Sequence, residues 1–325
     1  MNINYLFLTT NIISILLVLG IPIALSVILI RKFKVSWLVI LTGFVTFAIS
    51  QVLFYFSIRY LSGILQKSSL FQGNSIWALV LYALLIGLLS ALYVELMRLA
   101  GFIFLKKKAS SFKSALGFGV SSGAFSGAIQ SFFNGGLGLS IIIYFFVAVF
   151  FNPGAMLAKG IDTATVSSMI TQVQQIWAAP WHYGLVLGVE SLIMLSVAVV
   201  LSAFVWKSVT YRQGMWFAVA VLYHTLFVGI VYYLNMIGWN IWLMEAVLTA
   251  FLLVNVYLIY TFWKEESAIE EDEEFAEIEE DDEDDDDLED EDVEEDDISV
   301  EEDDTDEIAE VIDEVDDDAS DEEVK

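Results

Sequence analysis

The chain is predicted to be all-α: a polytopic transmembrane helical bundle of seven or eight spans, followed by a disordered acidic C-terminal tail. Three observations predict this class. Apolar runs of about 20 residues, enough helix to cross a hydrocarbon core of roughly 30 Å, recur through the first 263 residues. Only four acids, Glu95, Asp162, Glu190 and Glu245, precede residue 264, and the other forty follow it. The first part therefore carries thirteen Lys and Arg against four acids, whereas 264–325 carries two Lys against forty, so the net charge of −29 belongs to the tail alone.

Taken in order, the apolar pattern places spans at 5–30, 36–58, 76–100, 114–134, 183–206, 214–236 and 240–263. The first has no basic residue before it and no small-residue cleavage signature after it, so it is expected to be a retained span and not a secretory signal. The stretch 137–151 is short for a crossing and equally fits a re-entrant or partner-buried helix, which leaves the count at seven or eight. Basic clusters mark the cytoplasmic side: Arg31, Lys32 and Lys34 after the first span, then Lys106, Lys107, Lys108 and Lys113 after the third. The expected location is the cell membrane, multi-pass, with the N-terminus outside. Seven spans put Lys207, Arg212 and the tail in the cytoplasm; eight put them outside.

The loop 152–181 is weakly polar and carries Trp177 and Trp181, indoles suited to a membrane interface. An interfacial connector and a substrate gate are both open readings. From Lys264 onward the chain cannot bury enough apolar surface to offset its ordering entropy and self-repulsion, hence the expectation of disorder. Within the tail, Ile308, Val311, Ile312 and Val315 follow helical spacing behind Thr305, a candidate partner-binding helix or chance spacing in a solvated tail.

Composition also excludes chemistry. With no cysteine, disulfides, thiolate metal sites and cysteine nucleophiles are ruled out, and only His182 and His224 supply imidazole. The spans imply membrane lipid as a partner. The tail suits basic proteins or the chain's own Lys106–Lys108 cluster, and its sign argues against nucleic acid.

Glu95 and Arg98 are three residues apart in a strongly apolar stretch and therefore share one helix face. Ionisable groups at membrane depth are costly unless paired or facing a polar cavity, so each is a candidate functional residue. Glu95 is placed to serve as general base for water, with Arg98 holding it ionised or stabilising an oxyanion; an intrahelical ion pair is the alternative. Glu190 and His224 lie inside other spans, and their convergence with Glu95 would build a water-activating or metal-binding cluster. Otherwise His224 serves as a helix-to-helix hydrogen bonder. His182 and Glu245 sit nearer span ends, where solvation accounts for them. Gly119, Gly123 and Gly127 give the fourth span one smooth face for close packing, and Ser121, Ser122 and Ser126 read as interhelical hydrogen bonders.

Glu95-Leu96-Met97-Arg98, a Gly-rich span, a long loop, a span containing Glu190 and a span with His224 together resemble the YhfC family of intramembrane proteases, relatives of the glutamate-dependent CAAX-processing membrane peptidases. The resemblance covers most of residues 1–263 in order and spacing. It implies a polytopic peptidase with Glu95, Arg98, Glu190 and His224 as catalytic residues, a divalent metal such as zinc as cofactor, and transmembrane proteins as substrates. This chain departs from the family pattern at several positions: Val94 replaces the first Glu of a Glu-Glu-x-x-Arg motif, Ser122 and Ser126 replace a His and a Glu, Ser191 an Arg, Ala198 a His and Val228 an Asn. The resemblance with these losses implies a weak or inactive peptidase that still binds transmembrane substrates. The alternative from composition is a non-enzymatic membrane anchor presenting a polyanionic tail to basic partners, and a transporter or channel is a third reading.

Overall fold

A computed structural model describes residues 3–65, 75–106, 108–133 and 138–286. The chain divides into two units, Met1–Glu271 and Asp272–Lys325. Every element of the described residues is helical: α1 (Tyr5–Ile15), a π segment (Leu16–Gly20), α2 (Ile21–Arg31), α3 (Trp37–Leu65), α4 (Ile76–Phe104), α5 (Phe112–Phe133), α6 (Ser140–Phe150), α7 (Pro153–Ala158), α8 (Thr163–Trp177), α9 (Tyr183–Thr210), α10 (Gly214–Met236) and α11 (Ile241–Asp286).

Among the described residues six stretches are long and apolar enough to cross a membrane: Tyr5–Arg31, Trp37–Leu65, Ile76–Phe104, Tyr183–Thr210, Gly214–Met236 and Ile241–Ile269. Of the expected seven or eight, these six leave out the fourth expected span and the 137–151 stretch. The fourth expected span is α5, whose 22 residues give about 33 Å of helix, sufficient in length. Nine of those residues are Gly or Ser, and they dilute its hydropathy below that of its neighbours. The 137–151 stretch contains only the 11-residue α6, about 16 Å long and too short to cross.

Packing explains why α5 tolerates so little apolar content. It lies against α9, α3 and α2, and its glycines bring backbones together: a Cβ on Gly119 would sit 2.5 Å from Val199 Cα, and one on Gly123 would sit 2.9 Å from Leu195 Cα. α9 is the innermost helix. Every residue from Leu195 to Ser208 is buried, and a helix apolar on all sides needs such a position. Ser121 and Ser122 do not bond across helices as expected. They donate to Phe118 and Gly119 of their own helix, each at 3.0 Å, because a hydroxyl there reaches the carbonyl one turn back. Interhelical polar links lie elsewhere: Tyr223 Oη donates to Asn255 Oδ1 (2.5 Å), and Asn255 Nδ2 donates to Ser196 Oγ (2.9 Å), tying α10, α11 and α9.

The 152–181 loop folds into α7 and α8. Asn152 and Asp162 cap their N-termini, accepting from the amides of Ala155 (3.1 Å) and Thr165 (2.8 Å). Val166, Val173 and Trp177 form the buried side of α8, where Trp177 meets Phe7 edge-on at 6.3 Å. α11 continues as helix beyond Trp263, where Lys207 of α9 binds Glu265 (2.7 Å) and Glu266 (3.6 Å). The remainder of the expected disorder, with the 308–315 stripe, lies outside the described residues.

Candidate functional site

The buried face of α4 runs Ala83, Ile86, Gly87, Ser90, Ala91, Val94, Glu95, Arg98, a stripe spaced by three and four residues. Glu95 and Arg98 therefore point inward, where no water solvates them: Glu95 is 0% and Arg98 2% exposed. Their neighbour is α10. Gly87 and Gly229 thin the contact, since a Cβ on Gly87 would lie 3.0 Å from Gly229 N. That close approach brings His224, 8% exposed, onto the carboxylate.

Both oxygens of Glu95 are engaged. Arg98 Nη1 donates to Oε2, and His224 Nδ1 lies 2.6 Å from Oε1. With a guanidinium beside it the carboxylate is the acceptor, which places the ring hydrogen on Nδ1. Arg98 Nε is buried without a partner.

Glu190 stands apart from this triad. On α9 it accepts from Gln130 Nε2 of α5 (3.2 Å), and Glu245 of α11 is its charged neighbour. Glu190 and Gln130 line a cavity of about 430 Å³ with Phe227, Val228, Tyr232 and Asn235. Phe227 and Val228 follow His224 by one turn, so the cavity approaches the triad along α10. The cluster of Glu95, Glu190 and His224 anticipated from sequence is thus two sites: Glu95 with His224 and Arg98, and Glu190 with Glu245 and Gln130. Glu245 is partly exposed, with one carboxylate oxygen enclosed and without a hydrogen-bond partner. His182 is placed outside both, at the N-terminus of α9 beside Tyr183 and Trp242 rings.

Residues 15–248 match the family model of the YhfC intramembrane metalloprotease. The chain belongs to the YhfC family. It is accordingly an intramembrane protease-like membrane protein, and the match encloses both polar clusters while ending before the acidic tail. Neither a curated protein nor a solved structure matches it.

A catalytic metal in a YhfC-type site needs about three protein ligands. Among the described residues no three His, Cys, Asp or Glu side chains gather to hold one. Glu95 and His224 are two donors that bind each other, and Arg98 already places a cation on the second carboxylate oxygen. This donor set does not fit a resident divalent metal, and no chemical step is derived through one.

Proposed function

We propose that this YhfC-family chain is a weak or inactive peptidase that binds transmembrane segments of other proteins. One observation carries the reading: the oxygens of Glu95 are turned to Arg98 and His224, not to a place where substrate water would sit. A general base must come within about 2.6–3.2 Å of the proton donor it serves. Val94, Ser122, Ser126 and Ala198, standing where the family pattern has Glu, His, Glu and His, support the same conclusion from sequence. Binding does not need the catalytic set. The cavity beside Glu190 and Gln130 offers a polar group of a transmembrane segment a place inside an apolar bundle.

Purified protein in detergent, given transmembrane peptides, tests this by measuring cleavage and photo-crosslinking together. The expected result is crosslinking with no cleavage above that of Glu95→Ala. Efficient turnover by the wild type that a folded Glu95→Gln variant lacks would overturn it.

A second reading is favoured by Lys207, which fixes Glu265 and Glu266 to the bundle: the spans anchor a polyanionic tail for basic partners. A lysine-rich peptide should then bind the full chain at low salt and leave at high salt; no retention at low salt removes this reading. In either case we place the N-terminus outside and the tail in the cytoplasm. The chain has no cysteine, so Asn4→Cys and Gln213→Cys report the two sides by impermeant labelling.

A further inference from the structure

A groove of about 570 Å³ lies between the first span, α3 and α5. Its α5 side carries the small residues Ser121, Ala124 and Ala128, on the face turned away from the glycines that hold α9, with the Phe125 ring beside them against Phe44. Its walls are apolar, with Ile23 and Val27 on one side and Leu41 and Phe44 on the other, all exposed at 42% or more.

Length gives the groove its meaning. It follows the first span from Leu19 to Ile30, eleven steps of helix or about 17 Å, close to one leaflet of a hydrocarbon core of about 30 Å. A single extended hydrocarbon chain fits a groove of this length and volume.

Charge fixes the other end. Ile30 and Trp37, which line the groove, flank the short loop that carries Arg31, Lys32 and Lys34, all exposed. Lys34 holds a left-handed backbone (φ 57°), and the Val35 amide donates back to the Leu29 carbonyl at 3.0 Å, so the turn is tight and the three cations stay at the groove mouth. Trp37, 64% exposed, supplies an indole at the same level.

We infer that this groove is a binding site for one anionic phospholipid, with an acyl chain lying between α2 and α3 on the small-residue floor of α5 and the headgroup phosphate on Arg31, Lys32 and Lys34. The inference is independent of any peptidase or tail function. An acidic protein segment meets the charge of the rim but leaves the apolar trough empty, and a zwitterionic lipid fills the trough but gains little from the rim.

Native mass spectrometry of the full chain with equimolar phosphatidylglycerol and phosphatidylcholine tests it. Phosphatidylglycerol should be retained at least tenfold over phosphatidylcholine. Replacing Arg31, Lys32 and Lys34 by Gln should lower that retention about fivefold per charge removed. Ala124→Leu and Ser26→Phe, which fill the trough from α5 and from α2 separately, should each expel the lipid with the rim intact, and circular dichroism verifies that each variant is folded. Single-chain lysophosphatidylglycerol should bind as the two-chain lipid does. Equal retention of the two phospholipids, a preference that survives loss of the three charges, or a preference untouched by both filling variants would each overturn the site. So would displacement of the lipid by a transmembrane peptide.

Discussion

Glu95 Oε1 and His224 Nδ1 lie 2.6 Å apart, joining residues 129 positions apart in the chain across the contact of α4 with α10. Arg98 closes the arrangement from the next turn of α4, so one buried carboxylate pairs with a guanidinium and an imidazole at once. The arrangement is a structural clamp between α4 and α10.

Glu95→Ala should destabilise the bundle by about 3–5 kcal/mol, because it strands the Arg98 charge in a place that is 2% exposed. Replacing all three residues together, Glu95→Leu with Arg98→Met and His224→Leu, should cost less than the single change, since no uncompensated charge remains. Unfolding in mixed micelles measures both. A triple variant less stable than Glu95→Ala would show that the clamp contributes more than charge balance.

The glycine face of α5 should be graded along its length. Gly119→Ala drives a methyl to 2.5 Å from the Val199 backbone, where nothing flexible can yield, and should cost about 1–3 kcal/mol. Gly127→Ala meets only Ser191 and Val18 side-chain atoms at 3.4 Å and should be nearly neutral. Equal losses at both positions would mean that helix propensity and not the α5–α9 approach governs this face.

What the sequence made legible divides along the range of the interaction. The Glu95–Arg98 pair could be read because a three-residue spacing fixes a shared helix face, and Gly119, Gly123 and Gly127 announced a close contact by the same rule. The partner of that face, α9, could not be named, nor could the choice of His224 by Glu95 and of Gln130 by Glu190, because such pairings depend on helix rotation and bundle order. The serines misled for a different reason. Ser121 and Ser122 have an intrahelical acceptor always in reach, and that local bond displaced the interhelical one. Lys207 on α9 meets Glu265 and Glu266 just past position 264, a long-range pairing that composition does not announce. In the 152–181 loop the signals were present but unread: Asn152 ahead of Pro153 and Asp162 ahead of Thr165 both mark helix starts.

Asp162 gives the clearest pH dependence outside the spans. The Thr165 hydroxyl (2.6 Å) and amide (2.8 Å) hold its carboxyl below the ordinary value of 3.8. A lowered value in the folded state means a stabilising contribution that is present above 3.8 and lost as pH falls through the lowered value. Amide exchange in the first turn of α8 should therefore accelerate in that acidic window, after correction for intrinsic exchange, while Asp162→Ala should show fast exchange at every pH. An unchanged protection factor at Thr165 on acidification would remove the cap from the account.

Lys207 is the last residue whose removal has a defined consequence. Its side chain is 7% exposed and its ammonium binds Glu265 at 2.7 Å, lies 3.6 Å from Glu266 and sits 4.5 Å from the Phe262 ring centroid. Glu266 in turn accepts from Tyr211 Oη at 3.0 Å. A hydrogen bond to a charged group contributes about 1.5–3 kcal/mol, and half-exposed Glu265 falls at the low end because water screens it. Lys207→Met should thus speed amide exchange over 262–269 by about tenfold while leaving the middle of α9 protected. Lys207→Arg keeps the charge and should retain most of the protection. Added salt should weaken the wild-type contact only modestly, since the Lys207 side of the pair is enclosed. If Lys207→Met leaves 262–269 as protected as before, the continuation of α11 past the bilayer rests on its own helix bonds, and the enclosed cation has no part in holding it.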